Sequence, residues 1–197
     1  FAALLSACAS NLETMQLRED QEVKAPALNE SVIVFMRASA GREAAKITAA
    51  VYDVTSGDAK LIGLLPDETK LAYRVSPGNH MFMVYCEEAA DFMQLYSSGG
   101  KSYYTVVNPR PGTVTWRFNF RPVRNSTGGE YSFGSSEFKK WQRKTKLVGK
   151  TAASDRWHQE NHNSVFRNMK EYRPVWDAKT QLQRDSQTLL PTDFLPQ

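Results

Sequence analysis

Apolar residues between positions 31 and 124 come in short runs split by turn formers, a pattern that predicts β-strands rather than helices. The runs cover residues 32–38, 46–54, 60–65, 70–75, 80–86, 92–96, 102–107 and 113–121. Between them stand Gly41, Ser56-Gly57-Asp58, Pro66-Asp67, Ser76-Pro77-Gly78-Asn79, Gly99-Gly100 and the stretch from Asn108 to Gly112. Short strands with no helical period among them describe a mainly β unit, an antiparallel β-sandwich over residues 31–125.

Particular stretches sharpen this reading. Val114, Trp116, Phe118 and Phe120 alternate with Thr113, Thr115, Arg117, Asn119 and Arg121, so this strand turns one face to a core and the other to water. Val32-Ile33-Val34-Phe35-Met36 and the run from Met81 to Tyr85 are apolar at every position. Both faces of their sheets therefore need cover, one from a second sheet and part of the other from C-terminal helices. Ser76-Pro77-Gly78-Asn79 puts Pro where φ is about −65° and Gly where φ is positive, which predicts a type II turn and a hairpin between the flanking strands.

After Asn125-Ser126-Thr127-Gly128-Gly129 the period changes. Phe138, Trp141, Thr145 and Val148 recur at helical spacing among Lys139, Lys140, Arg143, Lys144 and Lys146, predicting a basic amphipathic helix over residues 136–148. A second helix is expected from Ser154, as N-cap, to Tyr172, with Trp157, Val165 and Met169 on one stripe and Pro174 ending it. Residues 126–197 thus read as a basic helical extension. Stripes this thin need the sandwich, a partner or a membrane beneath them.

Charge follows the same division. The 25 Lys and Arg outnumber the 21 Asp and Glu by four in 197 residues, and the whole excess falls after Asn125. So small an excess gives no reason to expect nucleic acid as a partner. Lys139, Lys140, Arg143, Lys144 and Lys146 suit either of two roles: contact with anionic lipid headgroups, with Trp141 anchoring at the interface, or the wet side of a helix packed on the sandwich. The narrow stripe favours packing. With 41% hydrophobic residues the chain can bury a real core, and near-average Gly and Pro exclude collagen-like and low-complexity classes. No apolar run is long enough to cross a bilayer as a helix.

The opening residues carry the clearest address. Leu5-Ser6-Ala7-Cys8, preceded by Phe1-Ala2-Ala3-Leu4, resembles the lipobox of bacterial lipoproteins, in which the chain is cut before the cysteine. That resemblance makes residues 1–7 the remainder of a signal peptide and residues 8–30 a lipidated tether, polar and poor in large apolar groups. Cys8 would carry a diacylglycerol thioether and an N-acyl chain, and several chains together anchor stably. Ala9, where an Asp would mark inner-membrane retention, favours the outer membrane, with the protein facing the periplasm. An acylated Cys8 leaves Cys86 without a disulfide partner, and its apolar surroundings suggest a buried, inert thiol.

Candidate chemistry is thin. His158 and His162 lie one helical turn apart, with Glu160 between them, a spacing that can hold a metal and would suit a metal-dependent hydrolase. The Glu is one place off the zinc-protease pattern, and no third ligand suggests itself, so an exposed helix face is the better reading. His80 follows a turn with no nucleophile motif nearby. The adjacent pairs Asp67-Glu68 and Glu87-Glu88 point to opposite faces and do not converge. Arg117 and Arg121 on the wet strand face, near Tyr103 or Tyr104, could take a glycan or carboxylate, or simply protect an edge strand. Neither double glycine opens a phosphate loop.

A wider resemblance covers residues 31–124. Val32-Ile33-Val34-Phe35-Met36-Arg37, Ser76-Pro77-Gly78-Asn79-His80 and Gly99-Gly100-Lys101-Ser102-Tyr103-Tyr104 are similar to motifs of a family of small bacterial lipoproteins whose domain has no known function. The resemblance implies a transthyretin-like, carboxypeptidase-regulatory-like or immunoglobulin-like sandwich and brings no activity. The insertion at residues 42–46 and the extension at 126–197 depart from it. Together these readings describe a membrane-anchored envelope protein. It is expected to act as a binding or assembly module for an envelope partner, without catalysis and without a cofactor other than its acyl chains.

Overall fold

The computed structural model describes residues 14–39, 41–87, 89–112, 116–126 and 128–196. The Leu5–Cys8 motif lies outside the described residues, as do Glu88, Thr113, Val114 and Thr115. The elements, in chain order, are β1 (Met15–Leu17), β2 (Ser31–Met36), α1 (Arg42–Ala45), β3 (Ala49–Asp53), β4 (Lys60–Leu65), β5 (Thr69–Val75), β6 (Gly78–Cys86), β7 (Ala89–Ser97), β8 (Ser102–Pro111) and β9 (Trp116–Val123). There follow α2 (Ser136–Lys144), β10 (Lys146–Lys150), α3 (Ala152–Asp177), α4 (Gln181–Ser186) and β11 (Thr188–Leu189).

The protein is mainly β, and its strands form two facing sheets with orders β1-β10-β5-β2-β8-β9 and β11-β7-β6-β3-β4. Phe35 of the first sheet meets Phe82 of the second edge to face, with ring centres 5.2 Å apart, and Phe120 lies 6.0 Å away. Each of the eight runs anticipated from the sequence contains a strand among its described residues. The sheets are mixed, however: β2 runs parallel to β8, β10 to β5 and β11 to β7. Parallel neighbours need long crossovers, and here the chain supplies them by passing between sheets and helices.

Both outer faces are covered, as the runs apolar at every position require. On the first sheet Val34, Met36, Tyr104, Val106 and Val123 pack against Phe138 and Trp141 of α2. On the second, Trp157 of α3 lies 6.4 Å from Tyr85, Trp176 lies 6.4 Å from Phe92, and Val165 is fully buried between them in sequence. The result is helix, sheet, sheet, helix.

Several expectations are corrected. Residues 76–79 make no hairpin, because β5 belongs to the first sheet and β6 to the second. Local turn chemistry fixes the bend at Pro77 but not the sheet that the next strand joins. The basic helix ends at Lys144, where the Thr145 hydroxyl donates to the Trp141 carbonyl at 2.7 Å, and Lys146–Lys150 becomes β10. An open edge at β5 outweighs continuing a helical period. Helix α3 starts one turn earlier than expected: Thr151 is its N-cap, and Ser154 completes a reciprocal capping box. Pro174 does not stop it. Proline in the penultimate turn sacrifices one hydrogen bond, and Trp176, 2% exposed, anchors the turn beyond it.

The expected tether is also partly built in. Met15 is 1% exposed, and β1 pairs antiparallel with β10, Met15 opposite Lys150. Further on, Gln21 brackets Leu147, accepting from its N–H at 2.8 Å and donating to its carbonyl at 3.1 Å. A three-residue strand held by edge pairing leaves no periodic signal. Nor does residue 125 divide sheet from helix, since β10 and β11 complete the two sheets from within the C-terminal segment.

Candidate functional site

The β8–β9 ladder brings two arginines together. Arg110 and Arg117 stand directly opposite each other across this antiparallel pair, so their side chains leave the sheet on one face. Both line a cleft of about 160 Å3, closed on its other sides by Asp91 of β7, by Tyr172 and Trp176 of α3, and by Lys179. The Lys179 ammonium sits 4.6 Å above the Trp176 ring and 3.3 Å from Asp91 Oδ1. Asp91 Oδ2 accepts from the Phe120 N–H at 3.4 Å and from the Gln187 side-chain amide. Neither Arg110 nor Arg117 meets a carboxylate among the described residues.

The arginines paired by sequence, Arg117 and Arg121, are not the ones the structure joins. Arg121 lies across from Val106 and sets its guanidinium 6.0 Å from the Tyr131 ring, beside α2. Arg110 lies beyond the apolar run at 102–107, in the part of β8 that carries no apolar signal of its own. Its one signal was hairpin register, which a longer β8 reveals.

The basic segment forms a second region. The Ser135 hydroxyl accepts the Phe138 N–H at 3.0 Å and starts α2 with Phe138 and Trp141 pointed at the sheet. Lys139, Lys140, Arg143 and Lys144 are consequently exposed, as are Lys146 and Lys150 on β10. Trp141 is buried, its ring centre 5.5 Å from that of Tyr131, so it belongs to the core and is not placed to anchor at a membrane interface. Nearby, Lys70 donates to the Gln142 carbonyl at 3.1 Å, and burial lowers its pKa, with Lys146 adding to the effect.

A third cluster closes one end of the sandwich. Arg37 is fully buried; its two terminal nitrogens donate to the carbonyls of Leu65 at 2.7 Å and Ala44 at 2.6 Å. Its Nε lies 3.9 Å from Asp67 Oδ1. Burial pulls the guanidinium down to about 10, against the opposing pull of Asp67. Cys86 is buried beside Trp116, its sulfur 3.7 Å from that carbonyl. Burial and then the Glu87 charge push its thiol up to about 12, which suits the inert role its sequence implies.

The histidines are tied to structure. His80 Nε2 lies 2.7 Å from the Ser76 carbonyl and braces the crossing between sheets. His158 Nδ1 is 3.4 Å from the Tyr52 hydroxyl, and burial followed by its neighbour His162 lowers its pKa. His162 stacks on Phe166, and the two histidine rings are 5.7 Å apart. Among the described residues no three His, Cys, Asp or Glu side chains are grouped to hold a metal. Asp67 turns toward Arg37, while Glu68 takes φ 52° and its carbonyl receives the Lys146 N–H at 2.9 Å, so this carboxylate pair diverges.

Comparison with protein-family models finds none that matches this chain, and comparison with curated proteins finds no match either.

Proposed function

We propose that this protein is a bacterial envelope lipoprotein, acylated on Cys8 and held at the periplasmic face of the outer membrane, where it serves as a non-catalytic binding or assembly module. The observation that carries the reading is Leu5-Ser6-Ala7-Cys8 standing six residues before Thr14, where the chain is already fastened to the domain. The Thr14 carbonyl accepts from the hydroxyls of Thr151, at 3.1 Å, and Ser154. Six residues reach at most about 20 Å. Such a tether keeps the sandwich next to the bilayer, with the exposed cations of β10 on the strand that β1 pairs with.

The non-catalytic part of the reading is supported by how the reactive groups are used. The Cys86 thiol is protonated at neutral pH, His80 and His158 bond within the fold, and Arg37 is sealed in the core.

Membrane fractionation on a density gradient tests the proposal. The wild-type protein is expected in the outer-membrane fraction and a Cys8→Ser variant in the soluble periplasm. An identical distribution for both proteins would overturn it.

A further inference from the structure

We propose that the cleft between the β8–β9 ladder and the end of α3 is a binding site for a dianionic oxyanion group, a phosphate monoester in chemical class, held by Arg110 and Arg117. The inference stands apart from acylation of Cys8.

Like charges directly opposite on neighbouring strands destabilise a sheet, yet the ladder sets two guanidiniums there with no carboxylate partner among the described residues. Arg74, Arg124 and Arg173 pair with Glu30, Asp193 and Asp177, whereas Arg110 and Arg117 line one cleft together without such a partner among the described residues. Within the cleft, Lys179 and Asp91 cancel each other at 3.3 Å, and both oxygens of Asp91 are already engaged. Among the described residues that line the cleft, what remains is an excess of two positive charges on two planar forks.

Guanidinium forks match the oxygens of phosphate in geometry, and a dianion matches their summed charge. Size agrees. The cleft measures about 160 Å3. Pockets for whole drug-sized ligands begin at about 300 Å3, so this one admits a charged group and leaves the rest of its carrier outside. Tyr172 and the exposed Val175 form the rim such a carrier would cross. The floor is rigid, since Trp176 is 2% exposed and packed on Phe92.

The test titrates the full chain, carrying Cys8→Ser so that no acyl anchor contributes, with inorganic phosphate at constant ionic strength, following indole fluorescence. A parallel arm measures co-sedimentation with vesicles containing phosphatidic acid. Saturable binding of inorganic phosphate is expected. Arg110→Gln and Arg117→Gln each weaken it about tenfold, and Arg121→Gln leaves it unchanged. Vesicle binding lost in the same two variants identifies a lipid headgroup as the source of the phosphate; inorganic phosphate binding alone identifies a soluble one. Without ligand, both variants are expected to melt no lower than the parent, because each relieves a like-charge pair. Absence of saturable binding, equal binding by the variants, or a lowered melting temperature that reveals a purely structural pair would each overturn the proposal.

Discussion

The guanidinium of Arg37 stands 4.8 Å from the centre of the Phe118 ring, inside the sandwich and sealed from water. The arginine that ends β2 is therefore a plug, joining the carbonyl of Leu65 to that of Ala44 across the end of the core. Arg37→Ala strips both carbonyls of a charged donor and leaves Asp67 alone, at a cost of about 3–5 kcal/mol. Urea melts check this. Arg37→Met combined with Asp67→Asn should recover part of the loss, since a buried ion pair exchanged for groups of similar volume is often close to neutral.

Alkaline pH should weaken the fold. Cys86 is raised from its ordinary 9.0 to about 12 and Tyr73 from 10.0 to about 12, both chiefly by burial. Between those values the unfolded chain has released protons that the folded chain still holds, so stability falls as pH rises from 9 toward 12. Arg37 acts oppositely, because its folded value lies below its unfolded one and favours folding as pH rises above about 10. Two groups outweigh one. Melting temperatures measured across this range should fall, and Cys86→Ala should make the fall shallower.

Gly99 is required for space. A methyl group there would lie 1.9 Å from the Leu28 carbonyl oxygen, a backbone atom that cannot swing aside. Gly99→Ala should cost about 1–3 kcal/mol by denaturant unfolding, from forced backbone displacement. Gly134→Ala is the control: nothing lies within 4 Å of its added methyl, and its stability should stay within about 0.5 kcal/mol of the parent.

Trp141 separates packing from membrane contact. Its ring is buried against the first sheet, so Trp141→Ala should lower stability by about 3–5 kcal/mol. Lys139→Gln and Lys140→Gln, on the exposed side of the same helix, should leave stability within about 0.5 kcal/mol. Equilibrium unfolding of the three variants distinguishes a core tryptophan from an interfacial one.

The strands of the sandwich were legible because each carries its own signal, a run of apolar residues closed by a turn. Apolar residues at every position from Val32 to Met36 likewise announced a covered outer face, and all five are buried. Pairings decided at a distance were not legible. Nothing local to Lys146–Lys150 says that β5 offers an edge, and nothing in Met15–Leu17 says that β10 will pair with it. The site shows the same limit: Arg117 was visible as the wet face of an alternating strand, but its partner depends on register, which joins it to Arg110 across the ladder and not to Arg121 along the strand. Trp141 is ambiguous for a different reason: a tryptophan beside lysines looks alike from sequence whether it faces a membrane or a sheet, and only the narrow apolar stripe favours the packing that the structure shows.

Mass spectrometry of the N-terminal peptide from protein purified out of envelopes tests the account most directly. Cys8 is expected as the first residue, bearing a diacylglycerol thioether and an N-acyl chain. An unmodified Cys8 inside a continuous Ala7-Cys8-Ala9 peptide would contradict it.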